Sequence, residues 1–127
     1  PQWSKGGIAL GPKPRSYKYR VNKSERQLAI KSLLSSKVLE NELTVVDKLE
    51  LKEIKTAEMV KTLENIKVSG KTLVVLSENN ENVQKSLRNI KGVKASIVNT
   101  INAYDLVKYD NLVLTVDSVK KIEEVYA

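Results

Sequence analysis

The hydrophobic spacing of this 127-residue chain switches repeatedly between two periods, and that switching restricts the fold more than any single residue does. Leu43-Thr-Val-Val46, Thr72-Leu-Val-Val-Leu76 and Asn111-Leu-Val-Leu-Thr115 are short apolar runs, and Val93–Val98 predicts a further strand. A strand with one wet face alternates apolar and polar side chains, whereas an unbroken run suits a strand covered on both faces. Between the runs the spacing turns to threes and fours. Leu28, Ile30, Leu33, Leu34, Val38 and Leu39 predict a helix over 23–40 behind an N-cap at Asn22. Thr56 is the expected cap of a second helix, whose stripe is Met59, Val60, Leu63 and Ile66. Further helices are expected near 80–89, 102–108 and 117–126. Strands alternating with helices predict the α/β class, as a mostly parallel, Rossmann-like sheet with helices on both faces.

The opening residues obey neither period. Residues 1–22 hold all three prolines, three of the five glycines, and Trp3, Tyr17 and Tyr19. Pro12 and Pro14 exclude a regular helix, and Pro12 drives Gly11 toward extended geometry. Gly6-Gly7 allows a bend or a close backbone approach. The expected division is an extended arm over 1–22, without a core of its own, and a globular α/β domain over 23–127.

Charge follows a similar boundary. Residues 1–37 carry nine cations against the single acid Glu25, a net +8, while residues 38–127 carry 13 cations against 14 acids, a net −1. An excess so one-sided points to a polyanion partner. Within the arm, Trp3, Tyr17 and Tyr19 are interleaved with Lys5, Lys13, Arg15, Lys18 and Arg20, and Lys23 and Arg26 follow. Cations pair with phosphates, and aromatic or guanidinium planes stack on unpaired bases. Gly6 and Gly7 let the backbone come close to a phosphate. A solubilising tail has no use for Trp3 or for Ile8-Ala9-Leu10. Tyr19 is expected to pack back on the domain.

Other chemistry is poorly served. With no His and no Cys, the chain lacks an imidazole base, a thiolate nucleophile, a disulfide and the usual zinc ligands. Carboxylate, Lys, Tyr, Ser/Thr and Mg²⁺ chemistry remains. Asp47, Asp105 and Asp117, at strand ends or just beyond, are the candidates for Mg²⁺, with Asp117 more simply placed at the start of the last helix. Ser77, Asn79, Asn99 and Thr100 suit turns as well as catalysis. Gly70-Lys71-Thr72 imitates the end of a phosphate-binding loop, but Asn65 stands where the upstream glycine belongs and the segment leads into a strand rather than a helix. Gly6 to Gly11 has the glycine spacing, with Pro12 in the lysine position. A nucleotide-binding or hydrolytic α/β domain is therefore the weaker alternative. No apolar run approaches the ~20 residues that a bilayer span needs.

The segment W-S-K-G-G-I-A-L-G-P-K-P-R-S-Y-K-Y (Trp3–Tyr19) resembles the returning arm of the fourth large-subunit ribosomal protein of bacteria. That family shows W-R-G-G-G followed by G-P-x-P-R-S-Y. The resemblance continues in order through K-S-E-R-Q-L-A-I-K-S-L-L-S (Lys23–Ser35), L-T-V-V-D (Leu43–Asp47), K-T-A-E (Lys55–Glu58), E-N-V…R-N-I (Glu81–Ile90), Y-D-L (Tyr104–Leu106) and L-V-L-T…V-K-K-I-E-E-V (Leu112–Val125). Ser4 replaces the usual Arg and Lys5 a usual Gly. The family begins with further strands and the outgoing half of a basic loop, so this chain, starting at Pro1, is expected to be a C-terminal portion with an edge or core face left uncovered. The resemblance implies a structural protein of the cytoplasmic ribosome, without catalysis. Large-subunit rRNA and neighbouring large-subunit proteins would be its partners. In some relatives it also implies a repressor that binds its own messenger leader.

Overall fold

The two strands with the least interrupted apolar runs lie in the middle of the sheet. A computed structural model describes residues 3–126, and its elements run α1 (Lys23–Leu39), β1 (Leu43–Val46), α2 (Thr56–Asn65), β2 (Thr72–Leu76), α3 (Glu81–Leu87), β3 (Val93–Ile97), α4 (Ala103–Lys108), β4 (Asn111–Thr115) and α5 (Val116–Tyr126). The sheet order is β1-β4-β2-β3 and every pairing is parallel. Leu112 of β4 stands between Leu43 of β1 and Leu73 of β2, and Val74 of β2 stands between Val113 and Ala95. All five residues of β2, and β4 from Leu112 onward, are buried. The outer strands β1 and β3 are not, which explains why Val93-Lys-Ala-Ser-Ile97 departs from an unbroken run.

Alternate side chains of a strand point to opposite faces, so β2 and β4 feed two cores. On one face Val74, Leu76 and Val113 meet Leu49, Met59 and Leu63, together with Val83 and Leu87 of α3. On the other, Leu73, Val75, Leu112 and Leu114 meet Leu106 of α4 and Ile122 of α5, with Ile30, Leu33 and Leu34 of α1 against them. The predicted sheet with helices on both faces is the one observed.

Several local expectations change. Thr56 is the first residue of α2, and Lys55 occupies the N-cap without a side-chain hydrogen bond. Asn22 does sit at the N-cap of α1, but its side chain caps nothing; its carbonyl accepts from Arg26 N–H. Val98 leaves the strand and opens a 3-10 turn, Val98–Thr100, in which Thr100 Oγ1 accepts from Ile97 N–H. Asp117 does stand in the first turn of α5, where its charge suits the helix start, while the hydroxyl that accepts from Ser118 N–H there belongs to Thr115. In α1, Leu28, Val38 and Leu39 face outward, because only the line through Ile30, Leu33 and Leu34 reaches the sheet. Val60 of α2 is exposed and Ile66 is half-buried.

Two buried polar groups tie the layers together. Ser118 is fully buried, and its hydroxyl donates 3.0 Å to the carbonyl of Val75 while lying 2.6 Å from Thr115 Oγ1. This joins the start of α5 to the central strand. Lys37 is buried near the end of α1, where its Nζ donates to the Glu42 carboxylate and, at 2.8 Å, to the carbonyl of Asp110. A buried ammonium is tolerable because it is paired and hydrogen-bonded.

Met59→Ala should lower the urea-unfolding free energy by about 2–5 kcal/mol, since Met59 is fully buried between α2 and the sheet. Leu39→Ser, on the outward face of α1, should stay within ~0.5 kcal/mol of the parent. Ser118→Ala removes the hydroxyl's bond to the Val75 carbonyl and should cost about 0.5–1.5 kcal/mol on the same assay.

Candidate nucleic-acid interface

Residues 3–22 form no helix or strand, and nearly every one of them is exposed. Trp3 is 92% exposed, Tyr17 76% and Tyr19 85%. The expected packing of Tyr19 on the body does not occur. Pro12 and Pro14 leave this stretch without a backbone ladder, and among the described residues no hydrogen bond joins residues 3–20 to the body. Its aromatic surface is therefore presented to the surroundings.

The local backbone is shaped at a few points. Trp3–Lys5 make a turn in which Lys5 and Gly6 both take left-handed φ values, 57° and 48°. Gly6 enters that region freely, whereas Lys5 is strained there by its Cβ. The resembling pattern has Gly at the position of Lys5, the residue this turn accommodates best. At Gly11, a Cβ would collide with Ile8 Cγ2, so a side chain there would force the exposed Ile8 to shift.

Lys5, Lys13, Arg15, Lys18, Arg20, Lys23 and Arg26 are all exposed, and among the described residues none joins an ion pair. Arg15 lies over the ring of Tyr17, with its guanidinium carbon 4.3 Å from the ring centroid. That contact pre-orients a planar cation beside an aromatic face; the R-S-Y spacing carried its signal, since residues two apart in an extended segment share a side. Lys23 and Arg26 stand in the first turn of α1, where cations oppose the helix dipole and only Glu25 favours it. Their positive field adds to that of the arm. Lys37 belongs to the same sequence excess but is withdrawn from it by Glu42. Gly7 follows directly on the turn at Lys5 and Gly6.

The sheet has a second concavity, the place where an α/β fold ordinarily holds a ligand, at the carboxyl ends of its strands. Its volume is about 430 Å³, and Asp47, Glu50, Glu78, Glu81 and Asp117 line it against the single cation Lys48. That charge repels phosphates. The N–H groups of Asn82 and Val83, which begin α3 beside it, already bond to Asn80 Oδ1. Asp105 is not at this crevice: it is buried in α4, 2.6 Å from Lys94 Nζ and 3.2 Å from Asn102 Nδ2. Gly70-Lys71 leads directly into β2, not into a helix. Among the described residues no three acidic side chains gather as a metal site.

A profile of the ribosomal protein L4/L1 family matches residues 1–125. The chain is 58% identical over 127 residues to the large ribosomal subunit protein uL4 of Acetivibrio thermocellus, with 99% of this chain aligned. It is 53% identical over 126 residues to that of Ruminiclostridium cellulolyticum and 54% over 127 residues to that of Alkaliphilus oremlandii. In each case the alignment takes in 61% of the relative, so the chain spans about three-fifths of the length of the proteins it matches. With the family profile matched over nearly its whole length, the chain belongs to the ribosomal protein L4/L1 family.

Proposed function

We propose that this chain is an RNA-binding structural part of the large ribosomal subunit, working in the cytoplasmic ribosome without catalysis. Residues 1–22 act as the arm that enters rRNA, and residues 23–127 act as the body that carries it against neighbouring subunit proteins. One observation supports this most: seven exposed cations over residues 5–26, none ion-paired among the described residues, accompany the three exposed rings of Trp3, Tyr17 and Tyr19. Phosphates would meet Lys5, Lys13, Lys18, Arg20, Lys23 and Arg26, with Gly6 and Gly7 permitting close backbone approach. Trp3, Tyr17 and Arg15 offer flat faces to unpaired bases. Membership in the family, whose matched relatives are named as large ribosomal subunit proteins, supports the same reading. The nucleotide-binding alternative is disfavoured by the acid-lined crevice.

If the arm neutralises about six phosphates, log affinity for RNA should fall against log salt with a slope of roughly −4 to −5. Deleting residues 1–20 should remove most of that affinity and leave the helical circular-dichroism signal in place. A flat salt response, or unchanged binding by the deletion variant, would refute the arm.

Stacking and bulk attraction separate by substitution. Trp3→Ala and Arg15→Ala should weaken binding to large-subunit rRNA by about 1–3 kcal/mol and to a random RNA of equal length by less. Lys13→Ala should weaken both alike, being a flexible point charge. Melting temperature should not move for Trp3→Ala. A lower melting temperature with an unchanged affinity ratio would instead make Trp3 a packing residue.

A further inference from the structure

The body has a basic groove of its own, away from the arm. Strand β3 ends the sheet, and among the described residues no strand pairs with its outer side. Along that side runs a groove of about 490 Å³, lined by Gln84, Lys85 and Arg88 of α3 and its C-cap, by β3 through Lys94, and by Tyr109; no acid lines it. Lys108 Nζ lies 5.6 Å from the centroid of the Tyr109 ring and 5.7 Å from that of Tyr104, adding a cation at one rim. Lys91 is exposed in the turn that leads into β3.

The condition of these cations suits an incoming polyanion. Arg88 is exposed and joins no ion pair among the described residues. Lys85 pairs with Glu81 at 3.0 Å on an open helix surface, a contact that solvent already screens and a phosphate can replace. Lys94, which lines the groove, is held 2.6 Å from buried Asp105, yet its side chain stays 45% exposed, so its ammonium keeps donors beyond the one that anchors it. The Tyr109 ring is half-buried and covered by Lys108, which leaves it poorly placed for base stacking.

We propose that this groove binds the sugar–phosphate backbone of RNA, with Arg88 as the bidentate phosphate ligand and Lys85 and Lys94 beside it, as a second and sequence-independent contact. It rests on the reading of the chain as an RNA binder, though not on the arm being the place of binding. Charged side chains also protect an open sheet edge from pairing with another strand, so a purely protective role for Lys94 and its neighbours is the rival account.

The test uses the full chain and a mixed-sequence RNA hairpin over a salt series, with two sets of substitutions made separately and together. One set is Lys85→Gln with Arg88→Gln, which spares Lys94 and so leaves Asp105 paired. The other is Lys5→Gln, Lys13→Gln and Lys18→Gln in the arm. The groove pair should lose roughly tenfold in affinity at low salt, with a slope shallower by about two. It should lose the same factor when the arm is already substituted. Arg88→Lys should recover most of the slope, because it restores the charge. Unchanged affinity and slope in the groove pair overturns the second contact while leaving the arm in place; loss confined to the groove pair overturns the arm and keeps the groove. Should the groove pair retain RNA affinity but self-associate or capture an extended peptide, the charges guard a strand edge and the proposal fails. Should its melting temperature fall, Lys91→Gln with Lys108→Gln repeats the measurement from the other rim, and an unchanged slope there also overturns it.

Discussion

Burying β2 and β4 on both faces is the constraint from which the rest of the body follows. A parallel sheet cannot leave one face to water as an antiparallel meander can, so each side needs its own helical layer. Here α2 and α3 supply one layer and α1, α4 and α5 the other. Each of the polar groups drawn into this arrangement answers a particular demand. Ser118 satisfies a carbonyl of β2, and Lys37 closes the gap between α1 and the turn before β4.

The same layering separates the charges. The crevice at the carboxyl ends of the strands gathers acids, while cations crowd the arm and the open side of β3. A polyanion approaching such a surface is repelled from one end of the sheet and attracted elsewhere, which favours some orientations before contact is made. The position at which many α/β proteins work is here the least hospitable to phosphate. On the proposed reading, the fold serves as a rigid holder for basic surfaces rather than as a container for a ligand.

Strand and helix order were legible because the period changes are sharp: β2 and β4 have the bounds that their apolar runs suggest. Details set by neighbours in space were not. Nothing local in α1 tells Leu34, which meets the core, from Leu39, which meets solvent; that depends on how little of the helix lies over the sheet. Lys37 reads as part of a basic run, and only its proximity to Glu42 and Asp110 removes it from the surface charge. Thr115 and Asp117 both suit a helix start, and the choice of Thr115 depends on Ser118 beside it. That residues 3–22 form no helix or strand was legible through Pro12 and Pro14. The groove along β3 was not, because Lys85, Arg88, Lys94 and Tyr109 come from separate segments that meet only in the folded body.

The strand order has a bearing on the timing of folding. Among the described strands β1 pairs only with β4, with Leu43 beside Leu112, although β2 and β3 are made between them. As the polypeptide is synthesised, β2, α3 and β3 form a neighbouring unit that can close locally, while β1 waits for nearly seventy further residues. Until β4 emerges and slips between β1 and β2, β1 lacks the strand that it pairs with among the described residues. Of the four strands described, β4 is made after the other three, and it is the one that joins β1 to β2.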